Sequence, residues 1–163
     1  MILTHCPLEG RTGHEAAWAL LRQTYLEETG EALPPIGYGS RGKPDFLDCP
    51  WHFSLSHTSR HAFCALSRHP IGLDAEELDR RCSPRLAQRV LSPGELAQYA
   101  AAPDPGKALL SFWVLKEAQV KLTGEGLQGF PNHTDFTLPH PAIREIDGCL
   151  VAILEENEED YAV

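Results

Sequence analysis

Apolar positions recur along the chain with two periods, and the switches between them mark its elements. Ile2 and Leu3 open a strand over Met1–Leu8. Ala17, Leu20, Leu21, Thr24 and Tyr25 then repeat at helical spacing, which predicts a helix over His14–Thr29 stopped by Gly30. Leu33–Asp48 is rich in Pro and Gly and reads as loop, with a short extended piece at Ile36–Tyr38. Phe53, Leu55 and His57 alternate with Ser54 and Ser56, the period of a strand, and Ala62–Ser67 reads as its partner across a turn at Thr58–Arg60. Gly72–Leu78 is a further short strand. Ser83-Pro84 and Ser92-Pro93 each place a capping residue before a proline, so two helices are expected, to about Val90 and over Gly94–Ala102. After a break at Asp104–Gly106, most of Ser111–Gly126 reads as one helix that ends at Gly124 and Gly126. Phe136–Leu138 and Cys149–Leu154 read as strands and Glu155–Asp160 as an acidic turn. Tyr161–Val163 reads as a strand just begun, in a chain that is cut short or ends in a stub.

The polar residues add chemistry to two of these elements. Along the Ser111–Gly126 helix and the two leucines just before it, Leu110, Val114, Glu117 and Lys121 share one side, and Leu109, Phe112 and Val120 lie beside Lys116 on the next. One carboxylate and two ammonium groups are therefore expected along the border of an apolar face. On the Gly72–Leu78 strand, Asp74 and Glu76 are two apart and share a face. Together with Glu117 they form an oxygen-ligand set suited to a hard cation such as Mg2+. Taken singly, Asp74 and Glu76 fit a solvated strand edge, and Glu117 with Lys121 fits an ordinary ion pair four apart on a helix. His52, His57 and His61 raise zinc, but a strand-turn-strand scatters their directions and no cysteine pair completes a set.

Bulk composition narrows the partners. A chain of 163 residues is long enough for one domain or two small lobes with a sizeable core. Its formal net charge of -9 argues against nucleic acid as a partner. Arg81, Arg85 and Arg89, four apart, line one side of the Ser83–Val90 region and form the clearest basic cluster in an acidic chain. No apolar run has the length of a membrane span, and Met1–Gly10 lacks the layout of a secretory signal, so no membrane partner is expected. Five scattered cysteines with no CxxC fit reduced thiols in a cytoplasmic protein.

Four stretches, in this order, carry a resemblance. GKP (Gly42–Pro44) precedes FSLSHTSRHAFCALS (Phe53–Ser67), then come GLDAE (Gly72–Glu76), RVLSPGE (Arg89–Glu95) and WVLKEAQVKLTGEGL (Trp113–Leu127). Together they resemble the 4'-phosphopantetheinyl transferases, and more closely the Sfp-type branch that activates carrier proteins of peptide and polyketide synthases. The resemblance runs from about Arg41 to Phe130, roughly half the chain. It departs from the family pattern in two places. Ala75 stands between the two carboxylates where the family commonly has Ile or Val, and the segment before the Asp74 strand is short for the Sfp type.

The resemblance implies an α+β fold of two similar α/β subdomains in a pseudo-dimeric arrangement, here a reduced N-terminal subdomain, 1–70, and a C-terminal subdomain, 71–163, that carries the metal site. It implies transfer of the phosphopantetheine arm of coenzyme A to a serine of an apo-carrier protein, with Mg2+, by a cytoplasmic monomer. Asp74, Glu76 and Glu117 correspond to the metal ligands. Glu117 also resembles the family carboxylate that acts as general base, directly or through a water, Lys116 and Lys121 resemble the lysines near the pyrophosphate, and Glu95 resembles a further catalytic acid. Lys43, Ser56 and His57, with the same two lysines, correspond to contacts with coenzyme A, and Arg11, Arg41 and Arg60 are candidate substitutes for 3'-phosphate contacts of a longer first lobe. Apart from the resemblance, the basic cluster of Arg81, Arg85 and Arg89 is a candidate docking face for the carrier, the alternative being a solvated basic face. The alternatives are a non-catalytic homologue that binds coenzyme A or a carrier protein, and an unrelated Mg2+ phosphohydrolase, which would leave the Ser-His strand and GKP unexplained.

Overall fold

A computed structural model describes residues 1–126 and 134–156. The expected strand start at Tyr161–Val163, the acidic turn beyond Glu156 and the end of the motif at Leu127–Phe130 lie outside the described residues.

The first half runs β1 (Ile2–Pro7), α1 (Gly13–Thr29), a small hairpin of β2 (Ile36–Tyr38) and β3 (Pro44–Phe46), then β4 (His52–His57) and β5 (His61–Ser67). The second half runs β6 (Ile71–Glu77), α2 (Pro84–Val90), α3 (Pro93–Ala101), α4 (Pro105–Thr123), β7 (Ile143–Ile146) and β8 (Cys149–Glu155). Each half holds a three-stranded antiparallel sheet, ordered β1-β5-β4 and β6-β8-β7. In both, the first strand pairs with the last, and the hairpin's other strand lies outside it.

Local chemistry fixes the helix ends. Thr12 and Glu15 exchange hydrogen bonds in a capping box at α1, and Gly30 closes that helix with a positive φ. Ser83 and Ser92 cap α2 and α3 ahead of Pro84 and Pro93, as the sequence predicts. α4 starts before the expected position. Asp104-Pro105 is not a break: the Asp104 carboxylate accepts from the Lys107 N–H at 3.0 Å and Pro105 occupies the first turn.

Two strand expectations change. Pro44–Phe46, read as loop, pairs with Ile36–Tyr38. Phe136–Leu138 has no strand partner among the described residues. Side chains of α3 replace a ladder there: Glu95 accepts from Phe136 N–H at 3.0 Å, Gln98 accepts from Leu138 N–H at 2.9 Å, and Gln98 donates to the Phe136 carbonyl at 2.9 Å. The strand of that region is β7 instead, joined to β8 by Asp147-Gly148, both at positive φ.

The halves share a core. Ile71, Leu73 and Ala75 of β6 and Val151 and Ile153 of β8 pack with Phe63 and Ala65 of β5. The opposite face of the second sheet packs under α4, where Leu150 and Ala152 meet Phe112, Val114, Leu115 and Ala118. β6 is thus covered on both faces, and its even-numbered residues point at α4. Gly72 is required there, because a Cβ at this position would lie 2.0 Å from the Ala118 carbonyl oxygen and 2.5 Å from the Leu122 nitrogen.

Candidate active site

Edge strands of the two sheets, β4 and β6, meet without a backbone ladder. Ser54 Oγ accepts from the Leu73 N–H at 3.0 Å and Ser56 Oγ accepts from the Ala75 N–H at 3.1 Å. Serine hydroxyls thereby satisfy two donors in the middle of β6 that face away from β8. Ser56 also donates to Asp74 Oδ1 at 3.2 Å. The alternation of Ser54 and Ser56 with Phe53 and Leu55 follows from this: the serines face the seam, and Phe53 enters the core of the first half.

Across the seam, Lys121 of α4 donates to Asp74 Oδ1 at 2.8 Å and to the Leu55 carbonyl at 3.3 Å. Asp74 is buried, and its Oδ2 has no hydrogen-bond partner among the described residues. Glu76, next on the same face, accepts from Trp113 Nε1 at 3.3 Å and pairs with Arg80. Glu117 is half-buried one helical turn from Lys121. Burial, and then the Asp74 charge, raise the Glu117 carboxyl above the usual range. Burial raises Glu76 as well, with Arg80 opposing and Asp74 adding. The Asp74 charge therefore acts on both Glu76 and Glu117, across strand and helix.

As placed, no three His, Cys, Asp or Glu side chains among the described residues stand in a metal-holding arrangement. Lys121 occupies Asp74 Oδ1 and Arg80 pairs with Glu76. The donor set is nevertheless all carboxylate oxygen, and the orphaned Asp74 Oδ2 is an acceptor in want of a cation. The three residues fit a hard divalent ion on these grounds.

Beside the seam lies a cleft of about 270 Å³. Arg41, Lys43 and Lys121 line it together with Ser54, Gly124 and Gly126, so cations dominate its polar side chains. Lys43 donates to the Leu122 carbonyl near the end of α4 at 3.0 Å, and burial lowers its pKa. Of the candidate arginines, Arg41 alone lines this cleft. Arg11 turns to the Leu8 and Pro7 carbonyls, and Arg60 to Glu77 and Asp79. His57 is exposed at the end of β4 and packs on the first turn of α1, where a Cβ at Gly13 would lie 2.2 Å from its Nδ1.

Two expected site residues sit elsewhere. Lys116 is not on the border of the apolar face but inside the second half. It pairs with Glu95 at 2.8 Å, with side-chain exposures of 2% and 0%. Lys116 also donates to the Thr134 carbonyl, and Glu95 accepts from the Ser92 N–H in the α3 capping box. The charges neutralise each other, which is what lets a lysine enter that core. Arg81, Arg85 and Arg89 are exposed, and none has an acidic partner among the described residues. Sequence reasoning assigned no role to Ser54, Arg80 or Trp113. Trp113 lies within the quoted motif, whereas Arg80 follows a strand into a turn, where no spacing rule points at Glu76.

A model of the 4'-phosphopantetheinyl transferase superfamily matches residues 70–160. Among known proteins, the chain is 31% identical over 108 residues to the 4'-phosphopantetheinyl transferase Sfp of Bacillus subtilis, covering 65% of this chain and 47% of that one. It is 37% identical to the 4'-phosphopantetheinyl transferase HetI of a Nostoc species, over 55% of this chain and 41% of that one. It is 41% identical to a holo-[acyl-carrier-protein] synthase of Cronobacter sakazakii, over 36% of this chain and 51% of that one. The chain thus spans about half the length of the relatives it matches. Similarity to Sfp and HetI supports the Sfp-type resemblance, and the matched span contains both β6 and α4. The chain belongs to the 4'-phosphopantetheinyl transferase superfamily.

Proposed function

We propose that this protein transfers the phosphopantetheine arm of coenzyme A to a serine of an apo-carrier protein. The observation that carries the reading is the placement of Asp74, Glu76, Glu117 and Lys121 on facing sides of β6 and α4, beside a cleft lined by Arg41 and Lys43. The serine oxygen bonds to the β-phosphorus of coenzyme A, the bond from that phosphorus to the bridging oxygen breaks, and 3',5'-ADP leaves with the electron pair. Glu117, with its proton affinity raised by burial, takes the serine proton. Lys121 and Lys43 hold the pyrophosphate charge as compact cations, and Arg41 offers a flat fork for the nucleotide's phosphate. Ser56 fixes Asp74 by its hydrogen bond, and His57 borders the nucleotide end. Lys116 and Glu95 contribute through the placement of α4, being buried against each other.

Asp74, Glu76 and Glu117 would hold Mg2+. When bound, it neutralises phosphate charge that develops during transfer. The exposed Arg81, Arg85 and Arg89 present the basic face to which an acidic carrier docks. The two halves, 1–70 and 71–163, with their shared strand order, are the two subdomains of a pseudo-dimeric fold acting as a cytoplasmic monomer.

Glu117→Gln tests the reading because it removes charge and little volume. Transfer, measured as phosphopantetheine incorporated into an apo-carrier, is expected to fall by about 10²–10⁴-fold, the usual range for a lost general base. The urea midpoint should stay near that of the parent. Near-normal transfer by a folded variant would refute the assignment.

A further inference from the structure

Glu95, Asp74 and Glu76 each pair with a cation of the chain itself, and these cations are held in different ways. Lys116 is enclosed with Glu95. Lys121 is tied at once to Asp74 and to the Leu55 carbonyl. Arg80, on Glu76, lies at the solvent edge, with 42% of its side chain exposed against 21% for Glu76. The fold aims it there. Leu78 N–H donates to the Gly148 carbonyl and Arg80 N–H to the Glu77 carbonyl, both at 2.9 Å, so the chain turns back directly after β6. The guanidinium then returns over Glu76 with its carbon 5.7 Å from the centre of the Trp113 ring. Neighbouring Asp79 does not compete for it, being engaged by Arg60 at 3.1 Å. Trp113 touches both partners: its ring lies under the cation and its Nε1 donates to the carboxylate.

We propose that Arg80 is a displaceable counter-ion. It occupies Glu76 while no divalent cation is bound and yields that carboxylate to the ion, keeping an alternative seat on the Trp113 face. The proposal rests on the reading of Asp74, Glu76 and Glu117 as a divalent-cation site. It accounts for a guanidinium standing on one of the three carboxylates while Asp74 Oδ2 is left without a partner among the described residues. Removing the competing charge favours the ion, whereas a purely structural Arg80–Glu76 tie would leave ion affinity unchanged or weaken it.

The test is Mn2+ binding to the 163-residue chain, followed by the free-Mn2+ electron paramagnetic resonance signal. Arg80→Gln, Arg80→Lys and Arg144→Gln are compared with the parent; the last makes the same charge change on β7. Arg80→Gln is expected to bind Mn2+ about fivefold more tightly, the upper end for a partly exposed ion pair. Arg80→Lys should stay near the parent and Arg144→Gln within about twofold. Tryptophan emission supplies a second readout: Mn2+ should change it in the parent, and Trp113→Phe should abolish that change. Equal or weaker binding by Arg80→Gln would overturn the counter-ion role while leaving the ion site standing. Absence of Mn2+ binding in both the parent and Arg80→Gln would overturn the ion site itself, and this proposal with it.

Discussion

At the scale of single residues, burial decides what a charged or reactive group does. Lys116 and Glu95 were both legible as charged members of motifs, yet their enclosure was not, because helical spacing places Lys116 only one position from the solvent border. Their pairing depends on α3 lying against α4, a tertiary fact. Lys116→Met leaves the Glu95 carboxylate buried without its cation and should cost about 3–5 kcal/mol in urea unfolding. Adding Glu95→Gln should recover part of that loss, and a single variant as stable as the parent would contradict the buried pair. Cys64 shows the same rule for a thiol. It is fully enclosed, and burial pushes its pKa up to about 12. The sign follows from linkage: the folded state favours the neutral thiol, so its contribution is complete below pH 9, the ordinary value, and is lost as pH rises from there toward 12. At pH 8, alkylation of the native protein should spare Cys64 in peptide mass maps, while urea-unfolded protein is labelled there. Labelling of native Cys64 as fast as the half-buried Cys49 would contradict this.

At the scale of elements, the seam between β4 and β6 is where the account is most exposed to test. Alternation along Phe53–His57 and the spacing of Asp74 and Glu76 were enough to foresee both strands and the shared carboxylate face. That two serine hydroxyls would stand in for a strand partner was not visible, since a serine facing solvent and one facing a seam leave the same pattern. β7 was missed although Asp147-Gly148 is a strong hairpin signal, and Phe136–Leu138 was misread because hydrogen bonds from Glu95 and Gln98 satisfy an extended segment without a ladder. Ser56→Ala leaves the buried Ala75 N–H unsatisfied and should cost about 1–3 kcal/mol. Ser56→Thr retains the hydroxyl and should cost less; equal losses in urea unfolding would count against the seam. Gly72→Ala drives a methyl into the backbone of α4. It should destabilise by about 3 kcal/mol, because backbone cannot yield as a side-chain tip can. Unchanged stability would mean that β6 and α4 do not approach as described.

At the scale of the whole molecule, the two halves are joined too tightly to behave as separate units. Phe63 and Ala65 share a core with the second sheet, only Arg68–Pro70 connect β5 to β6, and Arg60 of the first half pairs with Glu77 of the second at 2.7 Å. Urea unfolding should therefore be a single transition. Trp18 and Trp51 report on the first half and Trp113 on the second, so variants retaining one set or the other should share a midpoint; two separated midpoints would contradict a common core. Function is a property of this scale, because the cationic cleft takes Arg41 and Lys43 from the first half and Lys121 from the second. The measurement that tests the central claim most directly is intact-mass spectrometry of apo acyl, peptidyl and polyketide carriers incubated with this protein, coenzyme A and Mg2+. The account predicts that at least one carrier gains the mass of a single phosphopantetheine arm and that EDTA abolishes the gain. No gain on any carrier, with coenzyme A still bound, would contradict the transferase and leave a protein that holds coenzyme A without transferring its arm.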